Sequence, residues 1–319
     1  MPLPTIPFSP KNKRAIIGTA ITALWIVMMF FLVRDNIIPQ RRAQNLAATS
    51  IDPAALTANW QDIEEPMLIR FKDKAIGGAL TRITRADTTA TLYHADMRFA
   101  LDLAMLDISR RVHINALADL NSDFTLQKFH LEGDLGALTM SLTGIEHNGE
   151  LLMEVRQGRS EPTRARYTLD KSISFLEAVR PLALRNFKME TGASISLPVV
   201  DPVWSMELGT VEISVGPREK IEMTTGTVEA FRVETRLNDI VSSSWVDAQG
   251  VTLRRQIAGG FTLDRSTLDE VRRQTPGIDK PSEAYHVSPA DFTDIKPRPL
   301  KSLADPGSSP LAVLTNFAQ

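Results

Sequence analysis

The chain has 319 residues, 36 Lys and Arg against 38 Asp and Glu, a formal charge of −2 and no cysteine. Hydrophobic residues make up 43% and charged residues 23%, values typical of globular proteins, which excludes wholesale disorder and fibrous repeats. The balanced charge gives no indication of nucleic-acid binding. The absence of cysteine excludes disulfides, thiolate metal sites and a cysteine nucleophile.

An uncharged, mostly apolar run lies near the N-terminus, over residues 15–33. As a helix it would measure about 28 Å at ~1.5 Å per residue, enough for the hydrocarbon core of a bilayer. Its exit contains large apolar residues rather than the small residues of a cleavage site, which favours an uncleaved signal anchor over the alternative, a cleaved signal peptide. The sequence therefore predicts a cytoplasmic segment over 1–14 and a transmembrane anchor over 15–33.

The charges that flank this anchor are nearly balanced. Three basic residues precede it and three follow it: Lys11, Lys13 and Arg14, then Arg34, Arg41 and Arg42. The positive-inside rule therefore does not decide the orientation, although the tight clustering before the anchor favours a cytoplasmic N-terminus. We expect a single-pass protein of the bacterial inner membrane, with a stalk over 34–59 and the bulk of the chain in the periplasm.

From residue 60 to residue 265 the sequence repeatedly alternates apolar and polar side chains, as strands with one packed and one solvent-facing side do. The clearest segments are 138–143, 151–156 and 211–215. Asn148–Gly149 between two such segments is typical of a two-residue hairpin turn. Polar turns are also predicted at 121–123 and 247–250. This pattern predicts one antiparallel β domain over 60–265.

Two features of the alternation predict that the sheet is curved. The strands on either side of the 121–123 turn span 110–120 and 124–133, which is long for a small flat sheet. The alternation also changes phase between Leu126 and Phe129, and again between Ala230 and Phe231. Such phase changes indicate β-bulges, which bend strands. We therefore expect a strongly curved antiparallel sheet or a partial β-barrel.

Two further segments complete the predicted architecture. Apolar residues at helical spacing predict a short covering helix over 172–184, kinked or ended by Pro181. The Pro-rich tail over 266–319 should begin with a short helix at 267–273. It should then be extended and weakly packed, with an edge strand near 292–300. The predicted fold class is mainly β, with one N-terminal transmembrane helix.

Four segments carry a resemblance to a known domain type: residues 67–77, 120–126, 197–202 and 245–254. The third contains Leu-Pro-x-x-Asp-Pro and the fourth contains Trp-x-Asp-x-x-Gly. Together they resemble the β-rich domain that precedes the catalytic core in bacterial membrane-anchored transglutaminase-like proteins, over about two-thirds of this chain. The chain is more loosely similar to the half-barrel domains of periplasmic lipoprotein-sorting proteins. Because transglutaminase-like catalysis needs a cysteine nucleophile, the resemblance implies the accessory domain without the enzyme.

Other catalytic or metal-binding patterns are weak. His113 and His130 are expected roughly opposite each other on strands that flank the 121–123 turn, and Glu132 or Asp96 would be a further ligand for a metal ion. Two solvent-facing histidines are the simpler interpretation. The serines on predicted strands lack a Gly-x-Ser-x-Gly motif. We therefore predict no catalytic, metal-binding or cofactor-binding residue, and no enzymatic activity.

Apolar residues on the predicted concave face form the one candidate binding groove. They are Phe99, Leu101, Leu103, Phe129, Leu138, Met140, Leu142, Met153, Phe231 and Val233. Such a groove would accept an acyl chain or an apolar peptide. The alternative is that these side chains pack under the covering helix.

The function predicted from these features is that of a non-catalytic, membrane-anchored periplasmic accessory or scaffold protein. It would bind another inner-membrane or periplasmic protein through the sheet edge, the concave face or the tail. The alternative function is a lipid or lipoprotein carrier that uses the apolar concave face.

Overall fold

The structure is a computed structural model that describes most of the chain between residues 60 and 299. The described ranges are 60–72, 74–86, 93–102, 111–134, 139–169, 173–186, 188–201, 207–224, 226–237, 240–257, 260–280 and 288–299. The predicted segments 1–14, 15–33 and 34–59 lie outside them. Neither α-helix of the described ranges combines the length and apolar character that a membrane span requires.

The described chain is mainly β, as predicted, and forms one curved, unclosed sheet. Its strands are β1 Ile63–Phe71, β2 Lys74–Arg85, β3 Tyr93–Asp102, β4 Arg111–Leu120, β5 Leu126–Asp134, β6 Thr139–His147, β7 Glu150–Gln157, β8 Thr163–Thr168, β9 Ser174–Phe175, β10 Ser194–Asp201, β11 Glu207–Met223, β12 Gly226–Leu237, β13 Ile240–Val246, β14 Thr252–Ile257, β15 Phe261–Arg265 and β16 Arg298–Pro299. The helices are α1 Leu176–Asn186, α2 Leu268–Gln274 and a 3-10 helix Pro289–Phe292.

The strand order is β16-β8-β7-β6-β5-β4-β3-β2-β1-β15-β14-β13-β12-β11-β10-β9. Neighbours are antiparallel except for two-residue parallel pairings at the two edges, β9 with β10 and β16 with β8. The first strand of the sheet, β1, pairs with β15, and Met67 lies opposite Arg265. This non-local pairing joins the two halves of the sheet, β2 to β8 and β10 to β15, at β1.

The chain connection between β8 and β9 requires strong curvature. These strands lie near opposite edges of the sheet, yet only residues 169–173 separate them. Six Cα-to-Cα steps reach at most about 20 Å. The sheet must therefore curl until its two edges approach. The backbone amide of Leu126, at the start of β5, also donates to the carbonyl of Ile173 just before β9, at 2.7 Å.

The two predicted phase changes coincide with irregular strand pairing. Between β4 and β5 the register shifts, with Leu120 opposite Leu126 but Asp119 opposite Lys128, which confirms the first bulge. At the second position the extra residue lies on the partner strand. Val215 of β11 lies opposite Val233 of β12, and Arg218 lies opposite Phe231. The local apolar pattern located the bend but did not indicate which strand carries the extra residue.

Helix α1 differs from its prediction at both ends. Residues 174–175 form strand β9, and the helix then runs through Pro181 to Asn186. Every residue from Leu176 to Leu184 is buried, because the helix lies against the concave face of the sheet. Packing on all sides holds the helix together although Pro181 has no N–H to donate.

In the described parts of the tail, Val271, Thr275, Ile278 and Phe292 are buried, while most residues of 288–297 are exposed. The short helix α2 is confirmed, with Thr267 as its N-cap. It forms a second apolar cluster with β1 and β2: Leu68, Leu80, Val271 and Ile278. The predicted edge strand is also present as β16 beside β8. Strands β1 and β2 are consequently covered on both faces.

Candidate functional site

The predicted groove residues lie in the core of the molecule. Leu103 and Leu138 fall outside the described residues. Seven of the other eight are buried and Leu101 is partly buried: Phe99, Leu101, Phe129, Met140, Leu142, Met153, Phe231 and Val233. They belong to the same cluster as α1, and the Phe129 ring stacks on Phe175 with centroids 6.0 Å apart. In this structure the protein's own helix occupies the space beside them, and a groove for an acyl chain stays a prediction.

The two candidate metal-binding histidines are not opposite each other. His113 pairs with Asp134, and His130 pairs with Leu117, four residues further along β4. The expected register was wrong because the turn extends to Thr125 and the bulge adds a residue in β5. His130 instead contacts the Thr143 hydroxyl at 2.9 Å, and burial lowers the pKa of its imidazole. Asp96, one of the suggested further ligands, forms an ion pair with Arg98.

A cluster of charged side chains lies inside the sheet, at positions that no sequence pattern had indicated as a site. Glu177 in the first turn of α1 accepts two hydrogen bonds from the Arg255 guanidinium of β14, both 2.7 Å long. Arg180, one turn further along α1, lies 3.4 Å from one Glu177 oxygen. All three side chains are buried. Burial alone would raise the pKa of the Glu177 carboxyl, but the charges and hydrogen bonds of Arg255 and Arg180 lower it to about 2.

The cluster continues along α1 to strand β1. The buried Glu65 carboxylate accepts one 3.4 Å hydrogen bond from Arg185 at the C-terminal end of the helix. Within the described residues, Nε and Nη1 of Arg180 and Nε of Arg185 have no hydrogen-bond partner. Burial and the nearby Arg255 charge lower the pKa of Arg180, against the opposing effect of Glu177 and Glu65. The one sequence signal for this cluster was a pair of opposite charges within an otherwise apolar helix.

A separate cleft of about 490 Å³ lies on the outer face, between the β6–β7 turn and the 3-10 helix. Its lining is His147, Asn148, Glu150, Leu152, Arg166, Pro289, Ala290, Phe292 and Thr293. Arg166 donates to one Glu150 oxygen at 2.6 and 3.0 Å, so the two charges at the base of the cleft neutralise each other. The cleft therefore offers a polar surface without an excess charge.

A third feature is the far end of the β11–β12 hairpin. Strand β10 pairs with β11 only from 207 to 214, and β13 pairs with β12 only from 231 to 237. Five further residue pairs, from Glu219 opposite Ala230 to Met223 opposite Gly226, form a two-stranded ribbon. Neither edge of this ribbon is paired with another strand of the described chain. Val228 on it is one of three exposed large hydrophobic residues in the described part, at 38% exposure.

No protein-family model matches the sequence, and no curated protein matches it. The chain is similar to two solved structures. One is a beta-barrel-like protein of the domain of unknown function DUF1849 from Brucella abortus, with a TM-score of 0.38 and 12% identity, over 63% of this chain and 93% of that chain. The other is a DUF1089 family protein from Pseudomonas aeruginosa, with a TM-score of 0.30 and 11% identity, over 57% of this chain and 90% of that chain.

Proposed function

We propose that this chain is a non-catalytic accessory protein of the bacterial envelope that binds a partner protein through the β11–β12 ribbon. Residues 15–33 would anchor it in the inner membrane and the β domain would lie in the periplasm. The observation that supports this role most is the ribbon itself, whose two strand edges extend beyond the neighbouring strands. Unpaired strand edges present backbone N–H and C=O groups that another chain can pair with.

The ribbon is held in place by side chains of the adjoining strands. The Trp245 indole Nε1 of β13 donates to the Glu219 carboxylate at 2.9 Å. The Arg254 Nη2 of β14 donates to the Glu222 carbonyl at 3.0 Å. An edge that is ordered before binding loses less conformational entropy when a partner strand is added. We therefore expect a partner to bind by strand addition, one of the recurring modes of peptide recognition.

The interior of the sheet supports the same role. Helix α1 belongs to the same buried cluster as the apolar residues of the concave face, so we expect a partner to contact the edges and the outer surface. The resemblance to the accessory domain of transglutaminase-like proteins is consistent with a binding role, because that domain is separate from the catalytic core.

Cross-linking of the full-length protein in its native membrane, followed by capture, would test this role. Val228→Lys places a charge on the ribbon and should abolish the cross-linked partner band. Val241→Lys is the matched control, because Val241 is similarly exposed, at 44%, but lies on β13 away from the ribbon. A partner captured equally well by both variants would contradict binding through the ribbon.

A lipid or lipoprotein carrier is the second candidate function. The observation that favours it is that the interior of the sheet contains both the apolar groove residues and N–H groups of Arg180 that have no hydrogen-bond partner within the described residues. Such an interior suits a ligand with an apolar chain and an anionic end, provided that α1 moves. Native mass spectra of the full chain, released from an uncharged detergent, should then carry one stoichiometric lipid. A bare protein mass would refute the carrier function.

A further inference from the structure

The charged cluster inside the sheet contains more positive than negative charge around Arg180. The Glu177 carboxylate is engaged on both oxygens by Arg255. The Glu65 carboxylate is contacted by Arg185. Arg180 is left with one 3.4 Å contact to a Glu177 oxygen that already accepts a shorter bond. Arg180 is therefore the cation that the two carboxylates leave uncompensated.

An uncompensated arginine in this position is costly. Its side chain is 6% exposed, and two of its three nitrogens have no acceptor within the described residues. Buried polar groups in folded proteins nearly always have a partner, and an exception indicates a bound water, an ion or a functional role. A guanidinium cannot relieve the cost by losing its proton, because it stays charged at all accessible pH values. An anionic ligand would compensate it.

We infer that Arg180 and Arg185 form a binding site for an oxyanion, a carboxylate or a phosphate, beside Glu65 inside the curved sheet. Guanidinium groups bind these anions through pairs of parallel N–H···O bonds. The free nitrogens are Nε and Nη1 of Arg180 and Nε of Arg185. Glu65 relates the two residues, because it contacts Arg185 at 3.4 Å and its charge acts on Arg180. Glu65 would lie next to the anion, and its negative charge is offset by Arg185.

The C-terminal end of α1 is the more exposed side of this site. Arg185 is 23% exposed, whereas Arg180 and Glu65 are buried. An anion would therefore meet Arg185 first and reach Arg180 by displacing side chains around the last turn of α1. The same chemistry would hold a free phosphate or the head group of an anionic lipid. The site does not depend on the β11–β12 ribbon, so loss of anion binding would leave the accessory role untouched.

Thermal unfolding of the full chain in an uncharged detergent tests the free anion. Sodium phosphate should raise the unfolding midpoint by about 3 °C or more relative to sodium chloride of equal ionic strength, because a ligand that binds only the folded state stabilises it. Arg180→Gln should remove this rise. Phosphate also stabilises proteins by exclusion from their surface. Arg156→Gln is the control for that effect, because Arg156 is half exposed and on β7, and it should keep the full rise.

Native mass spectrometry of the same samples tests the lipid head group. A stoichiometric anionic lipid on the wild type and on Arg156→Gln, absent from Arg180→Gln, would identify the lipid as the source of the anion. Arg185→Gln provides a second variant if Arg180→Gln does not fold, since Arg185 is more exposed, and it should weaken either response. The inference is overturned if the wild type shows neither the phosphate response nor the lipid, or if Arg180→Gln and Arg185→Gln respond like the wild type.

Discussion

Arg255 on β14 and Glu177 on α1 form a buried, bidentate ion pair across 78 residues of sequence. The pair joins the helix to the second half of the sheet, while the Phe129–Phe175 stack joins the adjoining strand β9 to the first half. Apolar packing is non-directional and would tolerate rotation of a helix that is buried on all sides. Two parallel hydrogen bonds allow one orientation, so this pair fixes the rotation of α1 inside the sheet.

Removal of one partner of this pair should be strongly destabilising. We expect Glu177→Gln to lower the free energy of unfolding by about 3–5 kcal/mol, because it removes the carboxylate that faces the two buried guanidinium groups of Arg255 and Arg180. Urea denaturation of the two proteins would measure the difference. Glu64→Gln is the control, since its ion pair with Arg82 is solvent-exposed and should contribute at most about 1 kcal/mol. Equal effects of the two substitutions would contradict the structural role of the buried pair.

The same carboxyl should dominate unfolding in acid. The pKa of Glu177 is lowered from 4.5 to about 2 in the folded protein. A lowered folded pKa stabilises the protein above the unfolded value, and this stability is lost as the pH falls from about 4.5 towards 2. The loss should amount to about 3 kcal/mol at ~1.4 kcal/mol per pKa unit. Denaturation series from pH 6 to pH 2 should therefore show a steep acid limb that is flatter in Glu177→Gln.

Two histidines on the outer face should titrate in opposite directions. The hydrogen bond to Asp119 raises the pKa of His94, and burial lowers the pKa of His130. The His94 contact stabilises the fold below the unfolded pKa of ~6.5 and is lost as the pH rises through the folded value. The lowered pKa of His130 acts in the opposite direction. Neutral His130 stabilises the fold above the unfolded pKa of ~6.5, and this stability is lost as the pH falls from there through the lower folded value.

Nuclear magnetic resonance titration of the imidazole protons would measure both histidines in one experiment. We expect the pKa of His94 to be above the ordinary histidine value and the pKa of His130 to be below it. Asp119→Asn should bring the pKa of His94 down and leave that of His130 unchanged, because His130 contacts Thr143 rather than Asp119. A downward shift of both histidines in the variant would mean that Asp119 acts on the whole sheet.

Local sequence patterns predicted the strands well because alternation and turn chemistry act over a few residues. The Asn148–Gly149 turn between β6 and β7 and the bulge after Leu126 were both predictable in this way. The pairing of β1 with β15 was not, because strands at the two ends of the domain meet only when the whole sheet has formed. The placement of α1 against the concave face depends on the same pairing of β1 with β15.

The charged cluster was unpredictable for a related reason. Glu177 and Arg180 are ordinary helix residues in sequence, and Arg255 has the pattern of a solvent-facing strand residue. Their burial follows from the position of α1 between the two halves of the sheet, which no local pattern encodes. The register of His113 and His130 was misjudged by a smaller effect, since a bulge and a longer turn displace a strand by several residues.

Gly250 and Gly149 offer a test of how α1 is seated at its C-terminal end. Both glycines lie in hairpin turns and have nearly the same φ, +79° and +77°. A Cβ at Gly250 would lie 2.2 Å from the Leu184 carbonyl oxygen and 2.6 Å from the Arg185 Cα, whereas a Cβ at Gly149 would meet nothing within 4 Å. The turn between β13 and β14 thus packs directly against the last turn of α1.

The two alanine variants should therefore differ in stability although the two positions have nearly the same positive φ. Gly149→Ala should cost about 1–2 kcal/mol, the cost of a left-handed conformation for a residue with a Cβ. Gly250→Ala should cost at least ~2 kcal/mol more, since the helix or the turn must also move to relieve the contact. Urea denaturation would give both values. Equal costs would mean that the last turn of α1 moves away from the new Cβ at little cost in free energy. Tight packing of this turn, which positions Arg185 beside Glu65, would then be contradicted.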